Sequence, residues 1–323
     1  MKERDARFDN IKAILIFLVV LGHTIEYLYG NKGMYGAMRA VIYSFHMPAF
    51  VFISGYFARK SKSSLPDITI KYLGTYLIFN TLFALSPWHV NSPTNFLYPQ
   101  LIYWYLLCLC FWRVSIGALS KIRFIVPLSL LFTLYIGTCV KADRFMSISR
   151  AICFFSFFLI GYKFDLKHIQ KLPKWLMALT LFTCLSIVVY VHYVGLIPVK
   201  MYEYIQSYEA TEVTNIMGIK MRIFMIAIAL VITLCLIGLA PSRKLGFTIF
   251  GRNSLSIYLL HIFIIKAIAG SKIVNFGNEL TNILFSLVLS LLICLVLFIP
   301  FITSSYNKFI NRVVRASVVC EKN

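Results

Sequence analysis

Apolar residues run almost unbroken for about twenty positions at a time along this chain, and short polar or proline-bearing breaks separate the runs. A helix rises 1.5 Å per residue, so about twenty residues cross a hydrocarbon core of about 30 Å. The pattern therefore predicts spans near 10–29, 35–57, 69–86, 100–118, 123–140, 149–164, 174–194, 219–240, 246–268 and 280–303. Pro66, Pro173 and Pro241 mark connections on one side, and Pro87, Pro93, Pro99 and Pro198 mark connections on the other. Transmembrane strands would show about ten residues of strict alternation, which these runs lack. The expected fold is all-α: a polytopic transmembrane helical bundle of about ten spans, forming a single membrane domain over residues 1–323.

Composition supports that pattern. The chain has 59% hydrophobic and 14% charged residues, which excludes a soluble globule. Its 32 Lys and Arg against 12 Asp and Glu give a net charge of +20. On the ten-span layout most of the basic residues fall on one side, in groups such as Arg59, Lys60, Lys62 and Lys71, or Lys163, Lys167, Lys171 and Lys174. Basic residues concentrate in cytoplasmic loops, so both termini are expected in the cytoplasm of a bacterial inner or plasma membrane protein. Anionic lipid headgroups then account for the positive charge, and no nucleic-acid partner is implied. The first apolar run is too long for a signal-peptide core and no A-x-A-like site follows it, so it is expected to stay in the mature chain. Eight cysteines contain no C-x-x-C and lie mostly within apolar runs. They read as small buried residues, and no metal is expected.

The candidate chemistry lies in ionisable residues inside the spans, where they are costly and tend to face a bundle interior. His23 and Glu26 sit three apart on the first span, so the carboxylate can orient the imidazole. Asp9 recurs on the same stripe. In the second span Arg39 and His46 are seven apart and share a face, near Pro48 and Gly55. The ninth span carries a polar stripe of Ser254, Tyr258 and His261, and Arg150 opens the sixth. Three histidines, one glutamate and one arginine from separate spans are thus expected to meet at one level. A structural histidine bonded to a backbone carbonyl is the competing reading for His46 and for His261. Zinc binding lacks a local ligand motif.

The stretches FDNIKAILIFLVVLGHTIE, FHMPAFVFISGY, YWYLLCLCFWR, RAICFFSFFLIGY and GRNSLSIYLLH occur in that order over almost the whole chain. In this they resemble the acyltransferase-three family of bacterial membrane O-acyltransferases, particularly its fucose 4-O-acetylase-like branch. The resemblance implies transfer of an acyl group, usually acetyl, from cytoplasmic acyl-CoA to a hydroxyl of a cell-envelope polysaccharide or its lipid-linked precursor. It maps the family's essential first-span histidine onto His23 and its sixth-span arginine onto Arg150. Without a fused extracellular domain, the chain is similar to members that complete the transfer within the bundle.

That chemistry needs a base, donors for the oxyanion and exclusion of water. His23 is the expected base and Glu26 its orienter. His46, Arg150, Ser254, Tyr258 and His261 are the candidates for binding substrate or stabilising charge. A Ser254 nucleophile stays open, although no nucleophile elbow surrounds it. Arg59, Lys60, Lys62 and Lys71 are candidates for holding the phosphates of the acetyl-CoA donor, against the plainer reading as positive-inside charge. The rival function is a transporter or exporter of a glycan or acyl carrier, with buried ionisable residues lining its pathway.

Overall fold

The computed structural model describes residues 5–61, 63–90, 96–140, 145–271 and 275–298, with Ser304, Lys308 and Arg312 as single helical positions. Lys62, Pro93 and the 299–303 end of the tenth run lie outside the described residues. Among the described residues all regular structure is helical.

Each of the ten apolar runs coincides with a helix or a helical pair. The first two are long and uninterrupted: α1 (Arg7–Tyr29) and α2 (Gly33–Lys60). Pro48 lies inside α2, tolerated because neighbouring helices can satisfy the carbonyl it frees. The third run begins earlier than its hydrophobicity suggested, at α3 (Leu65–Thr69). There Ser64 and Asp67 form a reciprocal capping box with Pro66 in the first turn. A π-helical turn, Ile70–Gly74, then leads into α4 (Thr75–Ala84). Next come α5 (Trp104–Leu119), α6 (Ile125–Tyr135) and α7 (Ile148–Lys163). The short α8 (Lys167–Gln170) precedes α9 (Lys174–Tyr193) and α10 (Asn215–Leu239). The ninth run, expected as one continuous span over 246–268, is instead broken into α11 (Thr248–Arg252) and α12 (Ser254–Gly270). The break falls at Asn253 (φ −104°, ψ 17°), a residue whose side chain competes for backbone bonds and so favours helix ends. Last is α13 (Glu279–Leu297), capped by Asn278.

Among the described residues six helices are long and apolar enough to cross a membrane: α1, α2, α7 with its preceding 3-10 turn, α9, α10 and α13. The helices α5, α6 with its following 3-10 turn, and α12 are apolar but shorter. At 1.5 Å per residue the 16 residues of α5 reach roughly 24 Å, less than a full hydrocarbon core. A multi-pass membrane bundle is the plausible architecture, and the bundle carries exposed apolar side chains such as Leu131, Phe132, Phe182, Val288 and Leu292 where lipid would lie.

Two packing contacts position the interior. Where α2 crosses α7, Gly55 lies against the Phe158 carbonyl and Gly161 against the Phe52 carbonyl. Small residues on both helices let the backbones touch, so a Cβ at either position would collide with backbone. At the start of α1, the buried Asn10 donates to the carbonyls of Pro241 (2.9 Å) and Arg243 (3.0 Å), and accepts from Thr248 Oγ1 at 2.5 Å. Asp9 pairs with Lys12 (2.8 Å) and Arg252 (3.5 Å). This clasp ties α1 to the segment leading into α12 and sets their relative height.

The segment between α9 and α10 folds inward rather than standing free. Tyr202, Tyr204 and Tyr208 are all buried. Tyr208 donates its hydroxyl to Leu134 O (2.9 Å) and its N–H to Gly137 O (2.7 Å). The buried guanidinium of Arg222 on α10 lies over the Tyr204 ring at 5.3 Å and the Tyr208 ring at 4.7 Å. Cation–π contact thus pins this segment onto the bundle.

Candidate active site

The inward fold of that segment completes one wall of a partly open cavity of about 300 Å³ between α1, α2, α5, α7 and α12. His23, Glu26, Tyr43, His46, Arg150 and Glu203 supply its polar wall, and Tyr27, Trp104, Tyr202 and Tyr258 its aromatic wall. Leu101 (φ 35°) and Ser147 (φ 51°) also line it, and Tyr204 (φ 56°) adjoins it. These non-glycine residues sit in the left-handed region, a strain of about 1–3 kcal/mol each that surrounding structure must enforce.

His23 and Glu26 meet as their spacing suggested: Nδ1 is 3.2 Å from Glu26 Oε2. A carboxylate can only accept, so Nδ1 is the donor in that bond, and in the neutral ring Nε2 is then the acceptor. Glu26 is held by two further groups. Tyr43 donates its hydroxyl to Oε2 at 2.7 Å, and Arg39 Nη2 lies 3.1 Å from Oε1. Arg39 is fully buried, and the same Nη2 lies 3.4 Å from Oε1 of Glu203. One guanidinium therefore joins a carboxylate on α1 to one on the inward-folded segment.

His46 donates from Nδ1 to the Ile42 carbonyl at 2.7 Å, and its ring lies 4.9 Å from that of Tyr43. His261 makes the same bond to Ile257 O at 3.0 Å and stacks on His23 at 5.5 Å. It stands behind His23 and is not among the cavity-lining residues; its buried Nε2 has no hydrogen-bond partner. Arg150 stacks its guanidinium 4.5 Å from Trp104 and donates from Nε to Glu203 O at 3.0 Å. Tyr258 donates to Ile102 O. Ser254 lies in the first turn of α12, two turns from His261, and does not line the cavity.

Four residues of the site, with Tyr43, Trp104 and Glu203 lining the cavity and Arg39 behind its wall, carried no signal strong enough to be singled out from sequence. Arg39 was visible only as a stripe-mate of His46. Tyr43 and Trp104 are aromatics in an aromatic-rich chain. Glu203 is one of several acids in a loop, and nothing local marks it. Its carboxyl is held above the usual carboxylate range, chiefly by burial and next by the neighbouring Glu26 carboxylate, with Arg150 and Arg39 opposing.

Away from the cavity, Arg59 and Lys60 end α2 beside Tyr56, to whose hydroxyl Lys60 donates at 2.8 Å. Lys71 lies 5.5 Å from the ring of Tyr72, and Arg113, also near Tyr72, donates to Ser61 Oγ at 2.8 Å. These cations form a patch at one end of the bundle. Among the described residues no group of three or more His, Cys, Asp or Glu is arranged to hold a metal ion.

The framework is that of a multi-pass membrane protein built round a buried polar site. The chain belongs to the acyltransferase-three family, whose acyltransferase domain matches residues 5–299. It is also similar to the nodulation protein NolL of Sinorhizobium fredii, 48% identical over 58 residues, which are 17% of this chain and 16% of that protein. The NolL protein of Mesorhizobium japonicum is 46% identical over 56 residues, 16% of this chain and 15% of its own length. The chain thus spans about a sixth of the length of these curated relatives. No solved structure matches it significantly.

Proposed function

We propose that this chain is a membrane O-acyltransferase with ten crossings and both termini in the cytoplasm. It moves an acyl group, acetyl by preference, from cytoplasmic acyl-CoA to a hydroxyl of a cell-envelope polysaccharide or its lipid-linked precursor. The observation that carries this reading is the His23–Glu26 pair at 3.2 Å on the wall of the cavity. His23 Nε2 removes the acceptor hydroxyl proton as the oxygen attacks the thioester carbon. A carbon–oxygen bond forms, and the tetrahedral oxyanion faces Arg150. The carbon–sulfur bond then breaks, and the imidazolium returns its proton to the departing thiolate. Glu26, fixed by Tyr43 and Arg39, stabilises the imidazolium in between. A transport pathway would leave the carboxylates open to cargo, whereas three groups already hold Glu26.

The decisive experiment compares envelope glycans of cells with and without the chain by mass spectrometry. The expected result is the mass increment of an acyl ester, removed by mild base. Unchanged glycans under confirmed expression would refute the proposal.

The donor end of the reading makes a separate prediction. Replacing Lys60, Lys62 and Lys71 together by Gln is expected to raise the KM for acyl-CoA severalfold at about 0.01 M salt, with the acceptor KM little changed. The gap to wild type should close at about 1 M salt, where the Debye length falls from about 30 Å to about 3 Å. A triple variant with wild-type KM at low salt would leave these charges to topology alone.

A further inference from the structure

We propose, building on the acyl-transfer reading, that Glu203 is the acceptor-selecting residue: it receives a hydrogen bond from the sugar hydroxyl adjacent to the one that His23 deprotonates. The acceptor is then a pyranose presenting a free vicinal diol, rather than an isolated alcohol. Glu203 is built for this task from both ends. Its Oε1 is fixed by Arg39 at 3.4 Å, and its backbone carbonyl accepts from Arg150 Nε at 3.0 Å. Among the described residues its Oε2 has no hydrogen-bond partner, and the side chain is 26% exposed while lining the cavity. A carboxylate oxygen that is held in place yet unpaired is a ready acceptor for a hydroxyl, and charge-assisted bonds of this kind are the stronger ones.

The placement is specific to the bond being made. Glu203 and Glu26 share one nitrogen of Arg39, so the recognising carboxylate is tied to the one that orients His23. Two neighbouring hydroxyls on one ring can thus address the two groups together. The Tyr202 hydroxyl, buried beside Glu203 without a partner, and the ring of Tyr27 add an amphipathic surface suited to a sugar. A site built to bond a hydroxyl rejects the analogue that lacks it far more strongly than a hydrophobic pocket rejects an extra one.

The test measures acyl transfer to methyl pyranosides and their monodeoxy derivatives, with acyl-CoA, in membranes carrying the wild-type chain or Glu203→Gln. In wild type, removing the hydroxyl next to the acylated one is expected to raise the acceptor KM about tenfold or more, with kcat changed much less. Glu203→Gln keeps an acceptor oxygen but removes the charge that strengthens the bond, so it should raise the KM of the intact sugar and shrink the deoxy penalty, because both changes act on the same bond. Glu203→Asp keeps the charge on a shorter stem and should fall between the two; it carries the same comparison where the Gln variant fails to accumulate. A deoxy penalty that persists undiminished in the variants, or that is absent in wild type, overturns the assignment of Glu203 while leaving acyl transfer standing. Failure of every pyranoside to accept an acyl group from the wild-type chain overturns both.

Discussion

His23→Ala is expected to lower acyl transfer by at least about a thousandfold, the loss seen when a general base that works with an orienting carboxylate is removed. The chain should still insert and fold, because alanine leaves no unpaired charge in the bundle. Glu26→Gln should be milder, between about tenfold and ten-thousandfold, since glutamine keeps the size and a hydrogen bond but not the charge that supports an imidazolium. The double variant should be hardly worse than His23→Ala, because groups acting as one unit are not additive. Initial rates at matched protein level check all three. Wild-type activity in a well-expressed His23→Ala chain would make His23 a structural histidine.

The second large effect concerns stability. Arg39→Met leaves two inward-facing carboxylates, Glu26 and Glu203, without the guanidinium that both contact. Breaking a buried pair by removing one partner costs about 3–5 kcal/mol, and the partial exposure of both carboxylates points to the lower end. Thermal unfolding in detergent should show a marked loss of Tm. Adding Glu203→Gln to Arg39→Met should recover part of it, since one of the stranded charges is then gone. Arg39→Met with wild-type Tm would mean that water reaches both carboxylates and that the pair is no anchor.

These two substitutions separate what Glu26 does from what holds it there. In the proposed mechanism the pair of His23 and Glu26 works through local geometry on a single helix. Arg39 and Glu203 come from α2 and from the loop before α10, and they decide whether that geometry is held at the cavity wall. The neighbouring Arg222 extends the same logic: it holds Tyr204 and Tyr208, and so holds Glu203 from behind.

What the amino-acid sequence determined by itself is what short-range physics writes into a chain. Apolar runs of membrane length had to become helices, because an unsatisfied backbone in lipid costs too much, and among the described residues each predicted run contains a helix. Spacing of three on a helix had to bring Glu26 within reach of His23, since that contact needs no partner element. Even there, local chemistry was read incompletely: Asn253 broke the ninth run, and the Ser64–Asp67 box moved the start of the third. The tertiary structure alone decided which rotation each helix adopts about its axis, and hence that His46 and Arg150 line the cavity while His261 stands behind it and Ser254 outside it. It alone paired Arg39 with a glutamate 164 residues away. Such a pairing depends on how α2 meets α7 through Gly55 and Gly161 and on how the tyrosine-rich segment folds inward, and no local pattern encodes either contact.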